Sequence, residues 1–179
     1  MSNARFSINI IVIAACAVLI SMVLPGCSNK PIAPEQSSTT MLVHRIPSYP
    51  VIASELYTET TISASEGGTL SLIDVQLTFP PNALATDTLI SIRIPDINVF
   101  ENHFGTDGLF FNAPVQVVMD YRDADLSQIN EQHIRMAWYN CRTNSWDIIP
   151  CALDTVNKTV TASVYHFSAY ALISDDYNQ

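Results

Sequence analysis

Gly67-Gly68-Thr69-Leu70-Ser71-Leu72-Ile73-Asp74-Val75-Gln76-Leu77-Thr78-Phe79-Pro80-Pro81-Asn82 is the stretch that decides the fold. Leu70, Leu72, Val75, Leu77 and Phe79 alternate with Ser71, Asp74, Gln76 and Thr78. A period of two puts one row of side chains in a core and the other in water, as a pleated strand does. The alternation slips once, at Ile73-Asp74, which marks a turn or bulge between two strands. Gly67-Gly68 before it and Pro80-Pro81-Asn82 after it punctuate the segment. Further strand-like runs follow at Thr88–Ile94, Val115–Tyr121, Ile134–Tyr139, Trp146–Ile149, Thr159–Val164 and Phe167–Ile173. Arg142-Thr143-Asn144-Ser145 reads as a hairpin turn in which Asn144 tolerates a positive φ, and Asp154 to Lys158 as a second one. Only about Leu126 to Gln132 reads as a helix, and a short one. Short strands at spacings of roughly 10–20 residues, with no sustained helical period, predict an all-β fold, an antiparallel β-sandwich, and exclude α/β architectures.

The chain has 179 residues, 48 % hydrophobic and 14 % charged, with a mean hydropathy of +0.20. The apolar excess sits at Ile8 to Leu24, and the rest is an ordinary acidic globular sequence. Intrinsic disorder, collagen-like repeats and a multi-span membrane protein do not fit this composition. With 8 Lys+Arg against 17 Asp+Glu, a net charge of −9 and no basic cluster, nucleic acid is not an expected partner. No Gly-rich phosphate loop, Gly-x-Ser-x-Gly elbow or paired-carboxylate signature occurs, and His44, His103, His133 and His166 lack zinc spacing. No cofactor or metal is expected.

Arg5 followed by the apolar run has the form of an export signal. The run ends at Leu24-Pro25-Gly26-Cys27, which resembles the lipobox of bacterial lipoproteins; Pro25 stands where that family usually has a small or β-branched residue. The resemblance implies diacylation of the Cys27 sulfur and cleavage between Gly26 and Cys27, with residues 1–26 as signal peptide. A single-span anchor or an ordinary cleaved signal are the alternatives, but the run is short for a span of roughly 20 residues. Ser28 after the lipidated cysteine, where Asp would favour inner-membrane retention, implies the outer membrane. Residues 27–50, rich in Ser, Thr, Pro, Asn and Gln, read as lipidated Cys and flexible linker, and 51–179 as the β-sandwich domain. Met41 to Ile46 reads alternatively as a first edge strand.

Gly67 to Leu72 and Leu77-Thr78-Phe79-Pro80-Pro81-Asn82-Ala83-Leu84 also resemble the opening of a ZU-five domain, the β-sandwich shared by zonula occludens proteins, Unc-class netrin receptors and ankyrins. Pro114-Val115, the Trp138-Tyr139 … Trp146 hairpin and Val164 to Leu172 agree in order, so the likeness spans about Thr60 to Ile173. Asn82 replaces the family's common Gly, a mild departure because Asn also visits the left-handed region. The resemblance implies the sandwich fold and cofactor-free protein binding.

His166-Phe167-Ser168 is the sharpest chemical candidate. Some relatives cut themselves between Phe and Ser of this tripeptide: the hydroxyl, here Ser168, attacks the Phe167 carbonyl with His166 as base, and water hydrolyses the ester. The alternative places Phe167 in the core, with His166 and Ser168 fixing a corner by hydrogen bonds. Cys141 and Cys151 form a possible disulfide in an oxidising compartment. A hairpin centred between Thr143 and Asn144, however, sets Cys151 opposite about Met136. Asp120, Asp123 and Asp125 form the only tight acidic group, and they read as a solvated loop rather than a Ca²⁺ site. Asn102 to Asn112, with Phe104, Phe110 and Phe111, reads as a long loop that either presents a binding surface or is anchored to the core by its aromatics.

The sequence thus predicts a lipid-anchored exported protein whose non-enzymatic β-sandwich binds an envelope protein or glycan or serves a structural role. Self-cleavage between Phe167 and Ser168 is the alternative.

Overall fold

The structure, a computed structural model, describes residues 41–46 and 55–175. The lipobox-like segment with Gly26 and Cys27 lies outside these residues. Two antiparallel sheets pack face to face. The first contains β2 (Leu56–Ile62), β5 (Thr88–Ile94), β6 (Glu101–Gly105), β12 (Ala169–Ser174), β8 (Ile134–Asn140) and β9 (Ser145–Ile148), in that spatial order. β1 (Met41–Leu42) pairs with Ser174 and Ile173 of β12, on the side away from β8. The second sheet runs β10 (Cys151–Asp154), β11 (Thr159–His166), β7 (Phe110–Asp120), β4 (Val75–Phe79) and β3 (Gly68–Leu72).

The alternation that predicts the fold is the alternation that builds the core. Leu70, Val75, Leu77 and Phe79 face Ile90, Ile92, Met136, Tyr170 and Leu172 across the sandwich, all buried. Each such side chain contributes about 1.5–3 kcal/mol on leaving water. β12 is buried on both faces, because Ala171 and Ile173 on its outer side form a small second cluster with Ala137, Leu42 and Trp146. The slip at Ile73-Asp74 is a two-residue turn, with Leu72 paired to Val75 and Ile73 at φ +51°. Asn82 (φ +63°) and Asn144 (φ +55°) take the left-handed conformation their positions require. Gly67 sits at φ +75°, and a Cβ on it would lie 2.1 Å from the Phe79 carbonyl oxygen.

Several expectations are corrected. Leu126 to Gln132 is not a helix but a series of turns ending in a single 3-10 turn, Glu131–His133, whose cap Asn130 accepts from the Gln132 amide. Met41 to Ile46 packs on the sandwich, as in the edge-strand alternative: Met41–Leu42 is a short strand paired with β12. Val43 is buried, its amide bonded to the Leu172 carbonyl. Arg45, 5 % exposed, donates from Nη1 to the carbonyls of Ile97 and Val99 (2.9 and 2.6 Å) and from Nε to Asp74 Oδ2 (3.1 Å). Its guanidinium lies 4.1 Å from the centre of the Phe100 ring. Burial pushes the Asp74 carboxyl above its ordinary value, with the Arg45 charge pulling the other way. Asn102 to Asn112 is not a long loop. It is most of β6, a tight turn and the start of β7, and Phe104 and Phe111 are core while Phe110 is 76 % exposed. β7 begins four residues ahead of Pro114. That proline falls where the register between β7 and β11 breaks, so its missing N–H costs no ladder bond.

Ile73 is β-branched, half exposed and held at positive φ, a conformation that costs about 1–2 kcal/mol for such a residue. Ile73→Asn is therefore expected to stabilise the fold by about 1 kcal/mol in equilibrium denaturation. An unchanged or lower stability would show that the turn is not strained.

Candidate functional site

His166-Phe167-Ser168 lies at the point where the chain leaves β11 in one sheet and enters β12 in the other. Phe167, 1 % exposed, drives its ring between the sheets, edge-on to Phe111 (4.8 Å between centroids) and Phe79 (5.9 Å) and tilted against Phe104 (5.6 Å). Polar groups hold the corner around it. The Phe167 amide donates to Leu109 O (3.0 Å), and the Phe167 carbonyl accepts from the Gly108 amide (3.3 Å). Tyr170 Oη donates to His166 O at 2.8 Å, and Ser168 Oγ donates to Tyr139 O at 3.3 Å. Burial raises the Tyr170 phenol well above its ordinary value, which keeps it a donor.

For the acyl shift, the Ser168 hydroxyl needs a base and the Phe167 carbonyl needs a donor on its oxygen. The Gly108 N–H supplies the donor. The imidazole does not face the hydroxyl: His166 Nδ1 stands 3.4 Å from Phe167 O, while Ser168 gives its proton to the Tyr139 carbonyl. The tripeptide as placed is a corner fixed by hydrogen bonds.

The same corner borders a cleft of about 760 Å³ at the edge of the sandwich. The reason is local. Pro150 carries the chain from β9 across to the other sheet, and β10 covers β11 only as far as the Cys151–Ala162 pair. Beyond it Trp138 of β8 and His166 of β11 meet across the gap, rings 4.9 Å apart and edge to face. His166 also touches Phe110 (5.8 Å) and Tyr170 (6.3 Å), so aromatic groups run from the exposed Phe110 inward. Ile149, Pro150, Cys151, Ala152 and residues 161–165 of β11 complete the lining, which contains no Asp, Glu, Lys or Arg among the described residues.

The possible disulfide between Cys141 and Cys151 does not form. Cys151 carries a free thiol whose sulfur accepts a weak bond from the Met136 amide (3.4 Å). The β8–β9 turn is centred one residue earlier than predicted, since Asn140 pairs with Ser145, and Cys151 has already joined β10. Its nearness to Met136 arises across the sheets, not along a ladder. Of the acidic group, Asp120 is the last residue of β7 and pairs with Arg122, Asp123 is exposed in the turns that follow, and Asp125 accepts from the Ser127 amide. Among the described residues no cluster of His, Cys, Asp and Glu can hold a metal ion.

A polar relay on the outer face of the first sheet was not anticipated. Arg93 donates to His103 Nδ1 (2.9 Å), and His103 Nε2 faces Glu101 Oε1 (2.7 Å), which assigns the proton to Nε2. Arg93 and His103 are cross-strand partners. Their pairing becomes visible only once β6 is recognised as a strand.

Compared with known proteins, the chain matches no family model, and no curated sequence is significantly similar to it.

Phe167→Ala is expected to cost about 3–5 kcal/mol, because it empties the centre of the aromatic cluster. Phe110→Ala, at an exposed neighbour, stays within about 0.5 kcal/mol. Equal effects of the two in urea denaturation would contradict this placement of the corner.

Proposed function

We propose that this chain is an exported lipoprotein, held in the bacterial envelope through an N-terminal diacylglycerol and acyl anchor on Cys27. In this reading its ZU-five-like sandwich is a non-enzymatic module that binds an envelope partner. The observation that carries the binding role is the cleft beside the Trp138–His166 ring pair. It is concave, lined by aromatic and aliphatic side chains with a few polar groups, and set at an edge where two sheets part. The anchoring half rests on Arg5, the apolar run and Leu24-Pro25-Gly26-Cys27. The Ser28 that follows favours the outer membrane over the inner.

Self-cleavage between Phe167 and Ser168 is the second reading. The Gly108 N–H on the Phe167 carbonyl oxygen favours it, as the position of an oxyanion donor.

One experiment separates these readings: the intact mass of the full-length chain and of Cys27→Ser, each expressed in a bacterium. The binding reading expects a single species that begins at an acylated Cys27 and ends at Gln179, with Cys27→Ser left unprocessed. Fragments divided before Ser168, lost in Ser168→Ala, would establish the second reading instead. A Cys27→Ser chain that still matures at residue 27 would overturn the anchor.

A further inference from the structure

β11 has a partner on both sides only over Thr159–Ala162, which pair with β10 in the register Cys151↔Ala162 to Asp154↔Thr159. The strand continues to His166 with β7 on one side and, among the described residues, no strand on the other. Its register with β7 also breaks between Val164 and His166, which leaves Tyr165 outside the ladder and 58 % exposed. The cleft lies along this open edge. A row of backbone donors and acceptors next to an apolar hollow is what an added strand requires: the backbone supplies hydrogen bonds and the hollow takes alternate side chains.

Two other sheet edges carry charged side chains. β2 carries Glu59 and is followed by a turn, Ser63 to Gly67, that leads directly into β3 and ties those two edges together. β9 carries Asp147. Charged residues and covered edges are the usual guards against unwanted pairing. Ser163–His166 has neither.

We propose that this edge accepts an extended peptide strand from another envelope protein, laid antiparallel to β11 in line with β10. This rests on the binding-module reading and specifies its partner. Charge sets the strand's chemistry. Among the described residues no Asp, Glu, Lys or Arg lines the cleft, so the residues seated in it are uncharged, with one apolar side chain directed at Trp138 and Ile149. The whole chain carries −9, so Lys or Arg at the flanks of the strand is favoured and Asp or Glu is disfavoured.

The test uses the full chain in detergent micelles and the synthetic peptide Lys-Val-Thr-Val-Thr-Val-Lys. Saturable binding is expected, with amide hydrogen exchange slowed at Ser163–His166 and not at β2. Because only one edge of the added strand pairs, N-methylation of alternate amides on that edge lowers affinity about tenfold or more, while methylation of the other edge does not. Replacing both lysines by glutamate weakens binding, and the difference shrinks as salt is added. Absence of saturable binding, equal tolerance of methylation on both edges, or protection of the same amides by a neutral oligosaccharide instead would overturn the proposal. A chain that fails with these peptides yet cross-links saturably to an envelope component elsewhere on its surface would sink the strand site alone. A chain that does neither would sink the binding module as well.

Discussion

The sandwich depends on one aromatic ring. Phe167 is where the second sheet hands the chain to the first, and its side chain fills the space that this transfer opens. Its neighbours Phe79, Phe104 and Phe111 come from β4, β6 and β7, so three strands in two sheets are registered against a single residue. The polar atoms of the corner then have little choice. With the ring inward, the Phe167 amide and carbonyl meet the turn before β7, and Ser168 and Tyr170 reach back to carbonyls of β8 and β11. The cleft is a by-product of the same geometry. β11 must run on to His166 to deliver Phe167, whereas β10 stops short because Pro150 brings its chain in from β9. Among the described residues, the open edge of β11 thus follows from the way the sheets are joined.

A second constraint holds the amino-terminal end of the described residues. Arg45 is an ion taken almost wholly out of water, and a buried guanidinium persists only where its donors are satisfied. Here Asp74, two carbonyls and the Phe100 ring satisfy it. These partners come from the β3–β4 turn and from the connection between β5 and β6, so the ion pair staples Met41 to Ile46 across parts of the chain distant in sequence.

The fold was legible where alternation was clean. β3, β4, β5 and β11 follow from apolar residues two apart, and the Ile73 turn follows from the slip between them. Three strands were not legible, each for a physical reason. β6 hides its period because the inward Asn102 is polar; it is 1 % exposed and donates to Met119 Sδ. β10 is four residues long, directly after a proline. β2 is dominated by threonines, and its inner face is only partly buried until Ile62. The packing of Met41 to Ile46 was equally obscure, because Arg45 reads as a surface residue until its partners are known. At the candidate site, His166, Phe167 and Ser168 stood out as residue types. That Trp138 and Cys151 would share their cleft did not, since cross-sheet contacts leave no trace in local spacing. The Leu126 to Gln132 region shows the opposite error, in which a few helix-compatible residues were outweighed by Asp and Asn side chains that bond to nearby amides and favour turns.

Site-specific photo-cross-linking in living cells addresses the account most directly. A photoreactive phenylalanine analogue placed at Ser163, on the open edge, is expected to trap one discrete envelope protein. The same analogue at Tyr57, exposed on the edge strand at the far end of the first sheet, is expected to trap none. Equal trapping at both positions, or none at Ser163, would contradict a binding module that works through the edge of β11.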